Sequence, residues 1–573
     1  MPGLALAQAQ PNAPAAPPAT TPATPPATPV DQAIDRILAR EHQEIDTIRR
    51  YSPLIETYIQ DMRAEKENKD VGAIPVHDHY FIGQADLSKG IVDRSMVSRK
   101  RGLKEKLNPL TRLGDLLSSE YVPEGFLQMI YMDTSGFDRS HYHFDYVRKE
   151  FLGEVRCFVF DVMPLPKAGK GRFKGRIWVE DQDYTIVRFN GMYAGTASMS
   201  DVAVHFDSWR VNAQPGLWLP AYVFSQETDP HGYSNNHIKF RGQTRIWGYD
   251  LKNASRESEF SEITVESNNI QDQSAGPQDA SPVEAERAWQ RQAEQNVLDR
   301  LQRSGLIAPR GEIDKVLETV VNNLEVTNNL DIQPEVHCRV FLTSTLETFS
   351  IGHTIVMSRG LLDTLPDEAS LASMLAQELA NILVLKTDTD RWGFNDETIV
   401  STVDSLRHFS FQDDPHDVQV ANQKAVELLK NSPYKDKLGS AGLFLKQLDA
   451  SSKSLTALIS PKLGNRIQMA TQLESGGPQL EPAKLDQIAA LPLGARVKLD
   501  PYTDRIELLK SKPVPLLSQR EKMPFEVTPF MPFLTRYTKP TTAGPSSDAT
   551  KADVAKKQQP NEQNQDQPQS QQP

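Results

Sequence analysis

The sequence predicts an α+β, multidomain chain. A curved antiparallel β-sheet domain with helices comes first, and a mainly α-helical domain with a small β extension follows. Three observations carry this. From about Val71 to Val265, short alternating runs rich in β-branched and aromatic residues follow one another with few helical patterns between them. From residue 283 onward, apolar residues recur at helical spacing, most clearly over Leu371–Leu385. A Pro/Ala/Thr run up to Pro29 and a Gln/Pro-rich stretch from Thr541 close the two ends with compositions that build no core.

Bulk properties narrow the function classes. The 573 residues allow roughly two to four domains. The net charge of −12 argues against nucleic acid as the main partner. The one basic run, Arg99–Lys104, reads as a solvated loop. Cys157 and Cys338 fall in different predicted domains, so neither a disulfide between them nor a cysteine metal cluster is expected.

In chain order, residues 1–30 come first. Ala5-Leu6-Ala7 before Gln8 reads as the end of a secretory signal peptide, although the basic and apolar parts of such a leader are missing. Export to the periplasm, or otherwise out of the cytoplasm, is the expectation, with a leader cut short. Residues 31–70 are expected to be helical. Asp31 would cap a helix carrying Ile34, Ile37, Leu38, Ile45 and Ile48. Ser52-Pro53 would start a second helix with Leu54, Ile55, Tyr58, Ile59 and Met62.

Residues 71–265 form the β domain. Arg172–Val179 and Tyr184–Phe189 flank Asp181-Gln182-Asp183 as a hairpin. Further strands are expected at 156–163, 202–210, 217–225, 236–241 and 244–249. His77-Asp78-His79 and the alternating His141, His143 and Asp145 are candidate metal ligands by spacing. Short His-x-His runs on strands, however, are mostly surface or hydrogen-bonded residues.

A linker over 266–282 ends that domain. Residues 283–470 form the second, opening with helices at 283–303 and 311–328. Residues 471–540 hold two short alternating strands around Pro501-Tyr502-Thr503-Asp504, and 541–573 form a disordered tail. Within the second domain, Leu371–Leu385 (LASMLAQELANILVL) puts apolar residues at 371, 374, 375, 379, 382 and 383. It is too short and too polar to cross a bilayer, so it reads as a core helix, and no other segment reads as transmembrane.

That helix resembles the catalytic helix of zinc peptidases, where His-Glu-x-x-His puts two imidazoles on one face with a general base between them. This chain has Gln377-Glu378-Leu379-Ala380-Asn381. Residues 349–381, with Ser358-Arg359-Gly360-Leu361-Leu362 and Leu375-Ala376, resemble the HtpX-like and BepA-like metallopeptidases, relatives of the CAAX prenyl proteases. Val420–Leu429 resembles that family's third-ligand helix, and Leu458–Pro461 with Arg466-Ile467 its later Ser-Thr-His-Pro…Arg-Ile pattern. The resemblance implies a zincin-like domain whose ligand positions are Gln377, Asn381 and Val420. None of the three is a good zinc ligand. Glu378 keeps the general-base position, and no cofactor is expected; zinc would enter only through substitute ligands. His353 and the loop 404–416, with Arg407, His408, Asp413, Asp414 and His416, lie where such ligands or substrate gates would be sought. The family captures peptides by strand addition, which implies Thr354, Ile355, Val356, Met357 and Ser358 as the edge.

A second resemblance covers about 117–250. Val155–Pro164, Gly175–Glu180 and Ile186–Arg188 are similar to outer-membrane lipoprotein-sorting proteins of the LolA and LolB type. It implies an apolar groove that holds an acyl chain. Three functions follow as expectations. The leading one is a non-catalytic pseudopeptidase that binds peptide or unfolded envelope protein. The alternatives are a lipid- or lipoprotein-binding protein working through its β domain, and an active metalloendopeptidase with a non-standard site.

Overall fold

A computed structural model describes residues 29–64, 73–88, 92–95, 126–194, 203–228, 240–249, 282–384, 411, 413–461, 463–467, 497–499, 506–508 and 534–537. The leader, the Arg99–Lys104 run, residues 266–281, Arg407, His408 and the tail from Thr541 lie outside them.

The N-terminal domain is a single antiparallel sheet. Its strands are β1 (Leu54–Ala64), β2 (Ala73–Asp86), β3 (Val92–Ser95), β4 (Tyr142–Leu152), β5 (Val155–Pro164), β6 (Arg172–Glu180), β7 (Ile186–Ala194), β8 (Ala203–Gln214), β9 (Leu217–Thr228) and β10 (Phe240–Trp247). The order across the sheet is β3-β2-β1-β10-β9-β8-β7-β6-β5-β4. Strands β4 to β10 thus run as one meander, and the first three strands join it through β1 against β10, with Leu54 opposite Trp247. Bulges at Asp61/Met62, Tyr146/Arg148, Trp178/Val179 and Trp209/Arg210 add local bend and twist. Gly175 faces Gly191 across β6 and β7, where a Cβ on either would collide with a carbonyl oxygen of the neighbouring strand.

Helix α1 (Pro29–Ile48) lies on one face of this sheet. It starts two residues earlier than the sequence suggests, so Asp31 is in the first turn and pairs with Arg139 at 3.2 Å. Ile34, Ile37, Leu38, Ile45 and Ile48 enter a core with Phe160, Phe173, Ile177, Phe189, Phe206 and Val223. Glu41 and Arg210 close a bidentate pair of 2.7 Å bonds in that core, with neither side chain exposed. The expected second helix at Ser52–Met62 is instead β1. Its neighbours β2 and β10 bond it on both edges, and Glu56, Thr57 and Gln60 are buried beside the apolar positions. A strand covered on both faces has no polar side to betray its period.

The C-terminal domain starts with α2 (Pro282–Arg303) and α3 (Glu312–Thr327). A four-stranded sheet follows, built from β11 (His337–Phe341), β12 (Glu347–Ile351), β13 (Thr354–Ser358) and β14 (Asn465–Arg466) in the order β11-β13-β12-β14. Helices α4 (Arg359–Thr364), α5 (Glu368–Val384), α6 (Pro415–Lys430), α7 (Leu438–Ser451) and α8 (Thr456–Ile459) complete it. Helix α5 is the expected core helix, but it is enclosed by α3, α6, α7 and β12. Its residues from Ala369 to Asn381 are therefore buried almost all round, Leu371 being the partial exception. Strands β15 (Val497–Leu499) and β16 (Ile506–Leu508) pair antiparallel, as the alternation predicts.

The face of the large sheet opposite α1 carries Tyr58, Val155, Cys157, Val159, Trp178, Trp209, Trp218 and Tyr222, in one apolar cluster with the second domain. Polar contacts fix the docking. Asp78 on β2 accepts from the Ala457 and Leu458 N–H groups at 2.7 and 2.8 Å. Glu56 on β1 accepts from Arg245 at 2.9 Å and from the Ser344 N–H at 2.6 Å. Trp247 Nε1 donates to the Gly305 carbonyl at 2.8 Å. Residues 534–537 return to the first domain. The buried Leu534 accepts through its carbonyl from the Glu154 N–H at 2.9 Å, Arg536 pairs with Glu180, and the Tyr537 N–H donates to Asn212 Oδ1 at 2.7 Å.

Candidate functional site

Two places hold the chemistry worth weighing. The first surrounds Glu378. Helix α5 places Gln377, Glu378 and Asn381 in the interior, each 2% exposed or less. Thr348 on β12 donates to Glu378 Oε1 at 2.6 Å, and Asn381 Nδ2 donates to Oε2 at 3.2 Å. Thr348 is paired in register with Asn465 on β14. Asn465 in turn ties Asp413 down with bonds of 2.9 and 2.7 Å. Burial pushes the Glu378 carboxyl up to about 7; the Thr348 and Asn381 bonds oppose this and the nearby Asp413 charge adds to it.

This arrangement does not suit zinc. Gln377 and Asn381 offer neutral amides, and Val420 lies on the outward side of α6, 39% exposed. The groups bonded to Glu378 are a hydroxyl and the amides of Asn381 and Asn465, and among the described residues the carboxyl has no exposed surface. A general base must reach the proton that it takes.

The other expected site residues fall elsewhere. His353 is at the β12–β13 turn, half-buried, with burial first and the Arg291 charge second holding its pKa below the ordinary value. His416 is exposed in the first turn of α6, which Asp414 caps by accepting from the His416 N–H at 2.8 Å. Asp78 is committed to the domain interface, and His79 bonds Asp61 at 3.0 Å. His143 bonds Asp145 at 3.0 Å on the exposed side of β4, while His141 bonds Asp138 at 2.8 Å before the strand begins. Among the described residues no group of three or more His, Cys, Asp or Glu side chains is placed to hold a metal ion.

The expected peptide-binding edge is corrected by the topology. Strand β13 is central in its sheet. Residues Thr354 to Ser358 pair with His337–Phe341 on one side, and Thr354–Met357 pair with Thr348–Ile351 on the other. All five are buried. Their ladder bonds are spent, so no peptide can add there.

The second place is a cleft of about 690 Å³ in the β domain. It lies between the end of α1 (Arg49), the end of β2 (Leu87, Ser88), the segment 128–135, the turn from β5 to β6 (Lys170–Arg172) and Tyr193 of β7. Leu87 and Tyr131, 3% and 8% exposed, line the cleft on its apolar side beside the half-buried ring of Tyr193, while Met132 is fully buried. Tyr193 donates to the Tyr131 carbonyl at 2.6 Å, so the hydroxyl is spent inward and the ring faces the cleft wall. Asp133 binds Arg172 and accepts from Tyr142 at 2.6 Å. Burial alone would raise its pKa, but the bonds from Tyr142, the Ser135 N–H and Arg172 hold it below the usual carboxylate range. Sequence reasoning passed over this cleft. Its signals were the Asp133-Thr134-Ser135-Gly136 turn, whose carboxylate accepts the Ser135 and Gly136 N–H groups at 3.0 Å, and the basic turn Lys170-Gly171-Arg172.

No family model matches the chain, and no curated protein does. Several solved structures are similar in part, two of them as follows. One is a DUF1329 family protein from Desulfovibrio piger, 12% identical over 39% of this chain and 94% of that one, with a TM-score of 0.19. The other is a domain described as an outer-membrane lipoprotein-sorting protein from Vibrio parahaemolyticus, 13% identical over 37% of this chain and 89% of that one, with a TM-score of 0.17.

Proposed function

We propose that this is an envelope protein that binds lipid, or the acyl part of a lipoprotein, in the cleft of its β domain. The C-terminal domain serves as a scaffold with an idle, structural Glu378. The observation that carries this is the cleft: about 690 Å³, lined on one side by Leu87, Tyr131 and Tyr193 beside a charged rim. That volume lies within the roughly 300–1,000 Å³ typical of small-ligand sites. No described helix is long and apolar enough to cross a membrane, which is compatible with peripheral work at a membrane surface. The peptide-binding reading has lost its seat, because β13 is an interior strand. The peptidase reading has lost its base, because among the described residues Glu378 has no exposed surface.

The test is a titration of the full chain, stripped of lipid by an organic wash and refolded, with a fluorescent long-chain amphiphile below its micelle concentration. Saturable binding is expected, with long-chain lipid recovered by mass spectrometry from the unwashed protein. Thr134→Trp, at an exposed position on the lining, should weaken binding and leave the unfolding midpoint in place. A full chain that binds no amphiphile, and carries none from cells, would sink the proposal.

A further inference from the structure

Resting on that reading, we infer that the cleft selects amphiphiles with an anionic head group, carboxylate or phosphate, held by Arg49 and Lys170. The lining carries three cations, Arg49, Lys170 and Arg172, against one carboxylate, Asp133. Arg172 and Asp133 are spent on each other, and Arg172 Nε also donates to the Ala168 carbonyl at 2.9 Å. That pair is a neutral, fixed floor. It leaves two cations at the rim, Lys170 and an Arg49 that is paired only with the exposed Asp46, in a protein whose net charge is −12. Positive charge here is a local feature set against the background of the chain.

The two rim cations are available in a way that Arg172 is not. Arg49 follows the last turn of α1, and its carboxylate neighbour Asp46 is 3.6 Å away, with the two side chains 44% and 72% exposed. An exposed pair of that kind contributes little and exchanges readily for a better anion. Lys170 is exposed between Gly169 and Gly171, which adopt φ of +96° and +76° with no atom near either Cβ position. The turn is open at both glycines, and the lysine between them is exposed on the cleft lining. The Tyr193 hydroxyl makes no competing demand, since it donates to the Tyr131 carbonyl. An acyl chain along Leu87 and the rings of Tyr131 and Tyr193 would bring its head to Arg49 and Lys170.

The test compares oleate with oleyl alcohol, the same chain with and without the charge, on the full-length protein. Oleate is expected to bind about tenfold more tightly, which is one contact of about 1.4 kcal/mol. That margin should shrink as salt rises from about 0.05 M to about 1 M. The double variant Arg49→Gln/Lys170→Gln should lose the margin and keep its affinity for the alcohol, which also shows that it is folded. Acetate and inorganic phosphate should not displace oleate, so that the anion counts only when joined to a chain. Equal affinity for both amphiphiles overturns the head-group inference and leaves the lipid reading standing. Binding of neither overturns the lipid reading itself. Displacement of oleate by inorganic phosphate alone overturns the inference in favour of a free-anion site.

Discussion

Glu378 is a carboxyl in a fully enclosed position whose direct partners, Thr348, Asn381 and Asn465, are all neutral. The enclosure has a cost that depends on pH. In the unfolded chain the group titrates near its ordinary 4.5, while in the fold it is pushed up to about 7. A raised acid pKa means that the folded state holds the proton more tightly. The group's contribution to stability is therefore full below about pH 4.5 and is lost as pH rises through about 7. The loss is on the order of 3 kcal/mol by pH 8. Glu44 on α1, also raised to about 7 by burial, acts in the same direction. Glu378→Gln should raise the urea midpoint at about pH 8 and change it little at about pH 5. Asn381 Oδ1 is buried without a partner, so turning that amide over gives the new Gln donor an acceptor. A midpoint that falls equally at both pH values would refute this account. The helix around Glu378 was legible from the spacing of Leu371, Met374, Leu375 and Leu379, but the role of the carboxyl was not. A sequence motif states which residue types share a face, whereas whether a group is open to substrate depends on β12, β14 and the Asp413 segment, which approach from elsewhere.

At the scale of elements, partners decide what local pattern leaves open. Leu54, Ile55, Tyr58, Ile59 and Met62 suit a helix face as well as they suit a strand, and Ser52-Pro53 is a good helix start. Strand β10, far along the chain, settles the matter by pairing from Leu54 to Asp61. Strands β5 to β9 were readable because their runs are rich in β-branched and aromatic residues and are broken by short polar turns such as Asp181-Gln182-Asp183. Strand β13 was readable as a strand but not as an interior one, because its place between β11 and β12 depends on a parallel crossover. Helix α1 was readable too, yet its anchor to the sheet was not: Glu41 and Arg210 meet across 169 residues with no exposed surface. Glu41→Ala takes the bidentate partner from a buried guanidinium, leaving it the Ile186 carbonyl and the nearby Glu44, and should cost about 3 kcal/mol. Chemical denaturation would measure it, and hydrogen exchange should show the amides of α1 losing protection before those of β5 to β9. Equal loss throughout would mean that α1 and the sheet unfold only as one unit.

The whole molecule is held by a few polar contacts around an apolar seam. Asp78→Ala would leave the Ala457 and Leu458 N–H groups without their acceptor, at about 1–3 kcal/mol for each group left unpaired. The expected outcome is faster hydrogen exchange at the Ala457 and Leu458 amides, with the secondary structure of each domain intact by circular dichroism. Unchanged exchange would place the docking energy in the Tyr58–Trp218 cluster alone. Residues 534–537 bear on the same assembly in a different way. The chain leaves the first domain after Tyr249, builds the second, and comes back to the first at Leu534. The second domain is thus an insert whose two ends are pinned to one body. Pinning both ends of a long segment removes many of the shapes it could take when unfolded, and that loss of freedom favours the folded form. Freeing Leu534, Arg536 and Tyr537 would restore those shapes, and so weaken a domain whose own bonds are all left in place.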